Sequence, residues 1–145
     1  MIEFKIKNIS YRLDFSFFLL WAMIYLLGRE RLILPTFIAC LIHEMGHIIV
    51  MILSKRKIKS IEFRGTGIKI IPIYDKILSW GWDMAIISSG CISNFLLSMI
   101  IISFKIAPLY DLACVSFSLG FFNLLPFRHL DGGCIVALLQ DLKKY

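Results

Sequence analysis

Residues 32–53 form an apolar run interrupted near its middle by His43-Glu44-Met45-Gly46-His47. Such a run matches the roughly 20 apolar residues a helix needs to cross a bilayer. Ionisable side chains inside a span are costly and persist where they face a bundle interior and serve a site. The string at 43–47 therefore obliges the chain to build further helices around it. Three more apolar runs can supply them: residues 15–28, 84–104 and 106–127. The run at 15–28 is short for a bilayer, and no small-residue cleavage site follows it to mark a signal peptide. A last apolar piece, 130–139, is too short to cross as a helix.

Composition agrees with this reading. The 145 residues are 59% hydrophobic and 18% charged, against about 45–50% and about 25% in soluble domains. Disorder is excluded, and so is a nucleic-acid binder, although the net charge is +6. The basic residues instead mark loops on one side of a membrane. With the N-terminus inside, Lys5, Lys7, Arg12, Lys55, Arg56, Lys57, Lys59, Arg64, Lys69, Lys76, Arg128, Lys143 and Lys144 are cytoplasmic. Only Arg29, Arg31 and Lys105 fall outside. Both termini are thus expected in the cytoplasm, with His47 near the cytoplasmic end of its span. Ser60-Ile61-Glu62-Phe63-Arg64 alternates polar and apolar residues, Gly65-Thr66-Gly67 signals a turn, and Pro72 closes the segment. This pattern predicts a small cytoplasmic β-hairpin over about 60–71. The expected architecture is an all-α polytopic membrane protein, one unit over 1–145, with about four transmembrane helices, that hairpin and a short C-terminal helix. Cys40, Cys91, Cys114 and Cys134 lie in apolar stretches without a Cys-x-x-Cys pair and are expected as small buried hydrophobes.

The chemistry lies in the polar string. His43 and His47 are four residues apart, so a helix places both imidazoles on one face. Two nitrogens there can reach one metal ion at about 2.0–2.1 Å. Glu44 sits beside them, where it can take a proton from the attacking water. The bland alternative is a pair of histidines bonded to neighbouring helices, with Glu44 turned to a polar seam; that leaves three costly groups uncompensated. Two nitrogens do not complete a zinc site, and a third donor must come from Glu62, Asp75, Asp83, Asp111, His129 or Asp131. Asp111 is near the outer end of the fourth run. Asp75 and Asp83 are in or beside a solvated loop. Asp131 is better placed, because Pro126 breaks the preceding helix near the cytoplasmic side and Gly132-Gly133 lets the backbone turn and approach the His43/His47 helix. Asp131 can equally cap a short C-terminal helix. Two imidazoles, a carboxylate and an open position suit zinc.

Ile42-His-Glu-Met-Gly-His47 together with Asn123-Leu-Leu-Pro-Phe-Arg-His-Leu-Asp-Gly-Gly133 resembles the site-2 protease family of intramembrane zinc metalloproteases. That family joins a His-Glu-x-x-His helix to an Asn-x-x-Pro-x-x-x-Leu-Asp-Gly segment in a later span. The likeness is greatest to the compact bacterial branch that includes the sporulation pro-sigma-factor processing protease. Ser89-Gly90-Cys91-Ile92-Ser93-Asn94 stands where the family has Gly-Pro-x-x-Asn, with Cys91 replacing the proline. His129 stands where many relatives have proline. The resemblance implies His43, His47 and Asp131 as zinc ligands and Glu44 as catalytic base. It also implies that Asn94 and Asn123 lie near the site, positioning the peptide or donating to the oxyanion.

The expected function is hydrolysis of a peptide bond in a membrane-embedded or membrane-tethered protein, in regulated intramembrane proteolysis. By resemblance the substrate is a transcription-factor precursor or an anti-sigma factor, with a membrane regulatory protein as further partner and a bacterial inner membrane as location. A substrate helix must unwind to expose its carbonyl, and the hairpin edge could take the unwound stretch as an added strand. The rival readings are a catalytically silent membrane binder, which would be expected to lose Glu44 or a ligand, and a metal transporter, which would favour several ligand sets along a path.

Overall fold

Where α-helices form in this chain follows from its apolar runs, and where they stop follows from local backbone chemistry. The computed structural model describes residues 2–6, 9–14, 22, 25–26, 28–56, 58–64, 67–72, 80–128 and 130–142. The first expected span, 15–28, lies mostly outside these residues. The described helices are α1 (Ile33–Leu53), α2 (Trp80–Ser103), α3 (Tyr110–Asn123) and α4 (Asp131–Leu142). Both α1 and α2 end on a lysine in the left-handed conformation, Lys55 at φ 56° and Lys105 at φ 51°. The following amides of Arg56 and Ile106 reach back to the carbonyls of Met51 and Ile101, at 2.9 and 3.1 Å. This closure satisfies carbonyls that the helix leaves open, usually with glycine at that position.

Among the described residues, Glu30–Leu53 and Trp80–Ser103 are long and apolar enough to cross a membrane. The expected span over 106–127 contains the third described helix. A 3-10 turn at Ala107–Leu109 precedes α3, and α3 itself has 14 residues. At 1.5 Å per residue it is about 21 Å long, short of a hydrocarbon core about 30 Å thick. Pro126 explains the stop, since it lacks an amide hydrogen and disfavours helix in the residue before it.

A four-stranded sheet, in the order β1-β2-β3-β4, is built from Ile2–Ile6 (β1), Ile9–Leu13 (β2), Ile58–Arg64 (β3) and Gly67–Pro72 (β4). The expectation of an all-α chain is corrected to a mostly helical one that carries this sheet, because the N-terminal residues also alternate polar and apolar. β1 and β2 pair antiparallel, β2 and β3 parallel, and β3 and β4 antiparallel. The register aligns Glu3, Arg12 and Glu62 across three strands, and Arg12 bonds to both carboxylates at 3.2 Å. β4 packs against α1.

Helices α1, α2 and α3 meet around Ala39, Ile101, Leu112 and Ala113, joined by Ile38, Leu97, Val115 and Leu119. A second cluster, Met51 and Ile86 with Ile48 and Val50, lies nearer the C-terminal end of α1. Between them the interior is polar: His43, His47, Ser89, Asn94, Ser98 and Ser116 are all buried. The outside is apolar, with Leu34, Ile52, Met99, Ile102, Phe117 and Phe122 all more than half exposed. A polar inside under an apolar outside is the distribution a lipid solvent selects. The cysteines divide accordingly. Cys91 is buried, but Cys114 and Cys134 are exposed, which corrects their expected burial; on a lipid-facing surface a thiol needs no apolar cover.

Close contact of α1 with α2 depends on Gly46 and on Gly90. A Cβ on Gly46 would lie 2.6 Å from both the Ser89 carbonyl oxygen and Ser93 Oγ, and Ser93 Oγ donates to the Ile42 carbonyl at 3.1 Å. Gly46→Ala is therefore expected to destabilise the protein by about 1–3 kcal/mol through overpacking. Gly81→Ala meets nothing within 4 Å and is expected to be neutral or to stabilise by up to about 1 kcal/mol. Paired unfolding curves in detergent check both.

Candidate metal centre

The two histidines occupy the face of α1 that packs on α2, with side chains 7% and 10% exposed. Their Nε2 atoms are 3.2 Å apart. Asp131 enters from the first turn of α4 and brings Oδ2 to 3.1 Å from Nε2 of His43 and 3.3 Å from Nε2 of His47. The three atoms form a nearly equilateral triangle. A tetrahedral ion with bonds of about 2.0–2.1 Å separates its ligands by about 3.3 Å, so the donor set fits such an ion. Two imidazole nitrogens and a carboxylate converging in a buried place also require a shared positive charge to offset their lost hydration. His43, His47 and Asp131 are the group of metal-ligating side chains found among the described residues.

The other edges of the rings define how the nitrogens are presented. His47 Nδ1 lies 2.7 Å from the Ile86 carbonyl oxygen. A carbonyl only accepts, so Nδ1 carries the hydrogen and a neutral His47 keeps its Nε2 lone pair for a ligand. Ser89 Oγ stands 3.5 Å from the same Nδ1 and donates to the same carbonyl at 2.7 Å. His43 Nδ1 faces the Asn94 amide nitrogen at 3.3 Å, and Ser116 Oγ reaches the Asn94 amide oxygen at 3.2 Å. The two rings meet edge to face, 4.8 Å between centroids. Cys91, buried on α2, places its thiol 3.5 Å from Asp131 Oδ2 and can donate to it.

The remaining residues singled out from sequence are placed as follows. Glu44 is half-buried on α1, one residue after His43. Asn94 is fully buried behind His43. Asn123 ends α3, and its amide donates to the Leu119 carbonyl of its own helix at 3.1 Å. Asp111 pairs with Arg31 at the opposite end of α1. Asp83 pairs with Arg56 at 2.5 Å, and Glu62 with Arg12. Asp75 and His129 lie outside the described residues. Of the six sequence candidates for a third donor, Asp131 is the one that the described structure brings to the histidines.

The glycines carry roles that differ from expectation. A Cβ on Gly132 or Gly133 would strike the backbone of Leu124, Leu125 and Phe127. The pair therefore packs the start of α4 onto the 124–128 segment, where sequence suggested an approach to the histidine helix. That approach belongs to Gly90, whose added Cβ would lie 2.7 and 2.8 Å from Cε1 of His47 and His43. Ser116 was not legible as a site residue: one serine in an apolar helix has no spacing signal. Gly90→Ala is expected to push both rings off the triangle and to lower metal bound per folded chain by at least 10-fold in affinity, by analogy with losses on disturbing ligand orientation. Elemental analysis after equilibration against a chelator series checks it.

Known proteins resemble this chain in part of its sequence and in its fold. Peptidase family M50 matches over residues 103–144, the part that carries Asn123 and Asp131. The solved site-2 protease from Methanocaldococcus jannaschii is similar over 99% of this chain and 73% of its own, at 27% identity and a TM-score of 0.80. No curated protein matches. The C-terminal family match and the whole-chain likeness point the same way: residues 103–144, which include Asp131, match a peptidase family, and the chain over nearly its whole length is similar to a site-2 protease.

Proposed function

We propose that this chain is an intramembrane zinc endopeptidase that cuts membrane-tethered protein substrates, with His43, His47 and Asp131 holding the metal and Glu44 as the base. The observation that carries the proposal is the 3.1–3.3 Å triangle of donors with Glu44 adjacent to one of them in sequence. Bound zinc would supply Lewis acidity, polarising the scissile carbonyl and lowering the pKa of water. Glu44 accepts the proton of the attacking water and returns it to the leaving amine nitrogen. Asn123, half-buried at the start of the segment leading to Asp131, is the candidate donor to the developing oxyanion.

The substrate must present an unwound backbone. β4 is an edge of the sheet and packs against α1, so a stretch added to it would run beside the helix bearing the histidines. The basic loops favour cytoplasmic termini and release of the product on that side. We place the chain with the compact bacterial members of the family, in an inner membrane, acting in regulated proteolysis of a transcription-factor precursor or anti-sigma factor. Among the described residues one group of metal-ligating side chains is found, which supports this reading over the silent binder and the transporter.

Glu44→Gln is expected to reduce cleavage of a co-expressed membrane-tethered reporter by about 10²–10⁴-fold while leaving zinc content at the wild-type level. Asp131→Ala is expected to lose both zinc and cleavage. Cleavage by Glu44→Gln at the wild-type rate would reject the protease reading, and full zinc in Asp131→Ala would reject the ligand set.

A further inference from the structure

A fully buried polar chain connects three helices to one ligand: Ser116 on α3, Asn94 on α2 and His43 on α1. Asn94 and Ser116 are both 0% exposed. Their contacts are 3.2 Å between Ser116 Oγ and the Asn94 amide oxygen, and 3.3 Å between the Asn94 amide nitrogen and His43 Nδ1. Oxygen and nitrogen of such an amide are told apart by the hydrogen-bond network, so the network must be followed.

A His43 that offers the lone pair of Nε2 to a metal keeps its hydrogen on Nδ1. That hydrogen needs an acceptor, and an amide nitrogen is none. With the amide turned end for end, its oxygen accepts from His43 Nδ1 and its nitrogen donates to Ser116 Oγ. The serine hydroxyl both donates and accepts, so it satisfies Asn94 in either orientation. In the opposite orientation Asn94 donates to Nδ1, the ring hydrogen moves to Nε2, and the neutral ring offers the metal nothing. His47 has no such freedom, because the Ile86 carbonyl accepts in every case.

We propose that Asn94, braced by Ser116, is a positioning residue that selects the metal-binding tautomer of His43. This replaces the oxyanion role expected for Asn94 from sequence, since its amide meets the ring edge remote from Asp131. The inference rests on the zinc reading above and deepens it.

Zinc affinity of the detergent-purified full chain, measured by competition with a chromophoric chelator, tests the proposal. Asn94→Leu, which has no acceptor, is expected to weaken zinc binding by about 10–100-fold, the usual range for losing a partner behind a histidine ligand. Asn94→Asp keeps an acceptor and is expected to bind within a few-fold of wild type, whereas a purely structural role would make a buried carboxylate at least as disruptive as leucine. Ser116→Ala is expected to fall between them. Nitrogen-15 NMR of histidine-labelled, zinc-loaded protein should show a protonated Nδ1 on His43 in wild type and in Asn94→Asp. Wild-type affinity in folded Asn94→Leu, or Asn94→Asp as weak as Asn94→Leu, overturns the proposal. If Asn94→Leu does not fold, an unprotonated His43 Nδ1 in the loaded wild type overturns it instead. A wild-type chain that binds no zinc would overturn the function proposed above, a result distinct from all of these.

Discussion

Three electron-rich atoms held within 3.3 Å of one another, away from water, are the constraint on which the molecule is built. Left to themselves they would separate or draw in a proton. The fold keeps them together by fastening the far side of each group. The Ile86 carbonyl holds the ring of His47, the Asn94 amide that of His43, and the first turn of α4 holds Asp131. The two that hold the histidines are remote in sequence, 39 and 51 residues away. Together they draw α2 and α4 to within a few ångströms of α1.

The approach of α1 to α2 follows from that demand. At Gly46 and Gly90 the absence of a side chain lets ring and backbone share space that a single methyl group would fill. Serines complete the contact, through Ser93 to the Ile42 carbonyl. Large apolar side chains can then face outward without loss, because the solvent they meet is hydrocarbon. The same chain in water would expose them all, which ties the arrangement of the site to the medium around it.

Much of this was legible in the chain itself. The run 32–53 became α1 at Ile33–Leu53, and the run 84–104 became α2 at Trp80–Ser103, begun a turn earlier by Trp80-Gly81-Trp82-Asp83. The His-x-x-x-His spacing and the broken helix before Asp131 pointed to the residues that meet. Less was legible where tertiary contact decides. The end of α3 depends on Pro126, but its late start depends on how α2 turns at Lys105, where a lysine occupies a place that sequence rules reserve for glycine. Strands β1 and β2 do alternate polar and apolar residues, yet their charges read as a flank to a membrane span. Ser116 gained meaning only once α3 lay against α2.

The donors of the triangle are far apart in the chain: two come from α1, and the third opens α4. Between them lie the sheet's last two strands and two further helices. During synthesis the imidazoles are made early and stand alone while most of the described chain is still to come. Until the carboxylate arrives the triangle of donors is incomplete. The order of residues along the chain thus separates the making of the two imidazoles from the making of the carboxylate that joins them.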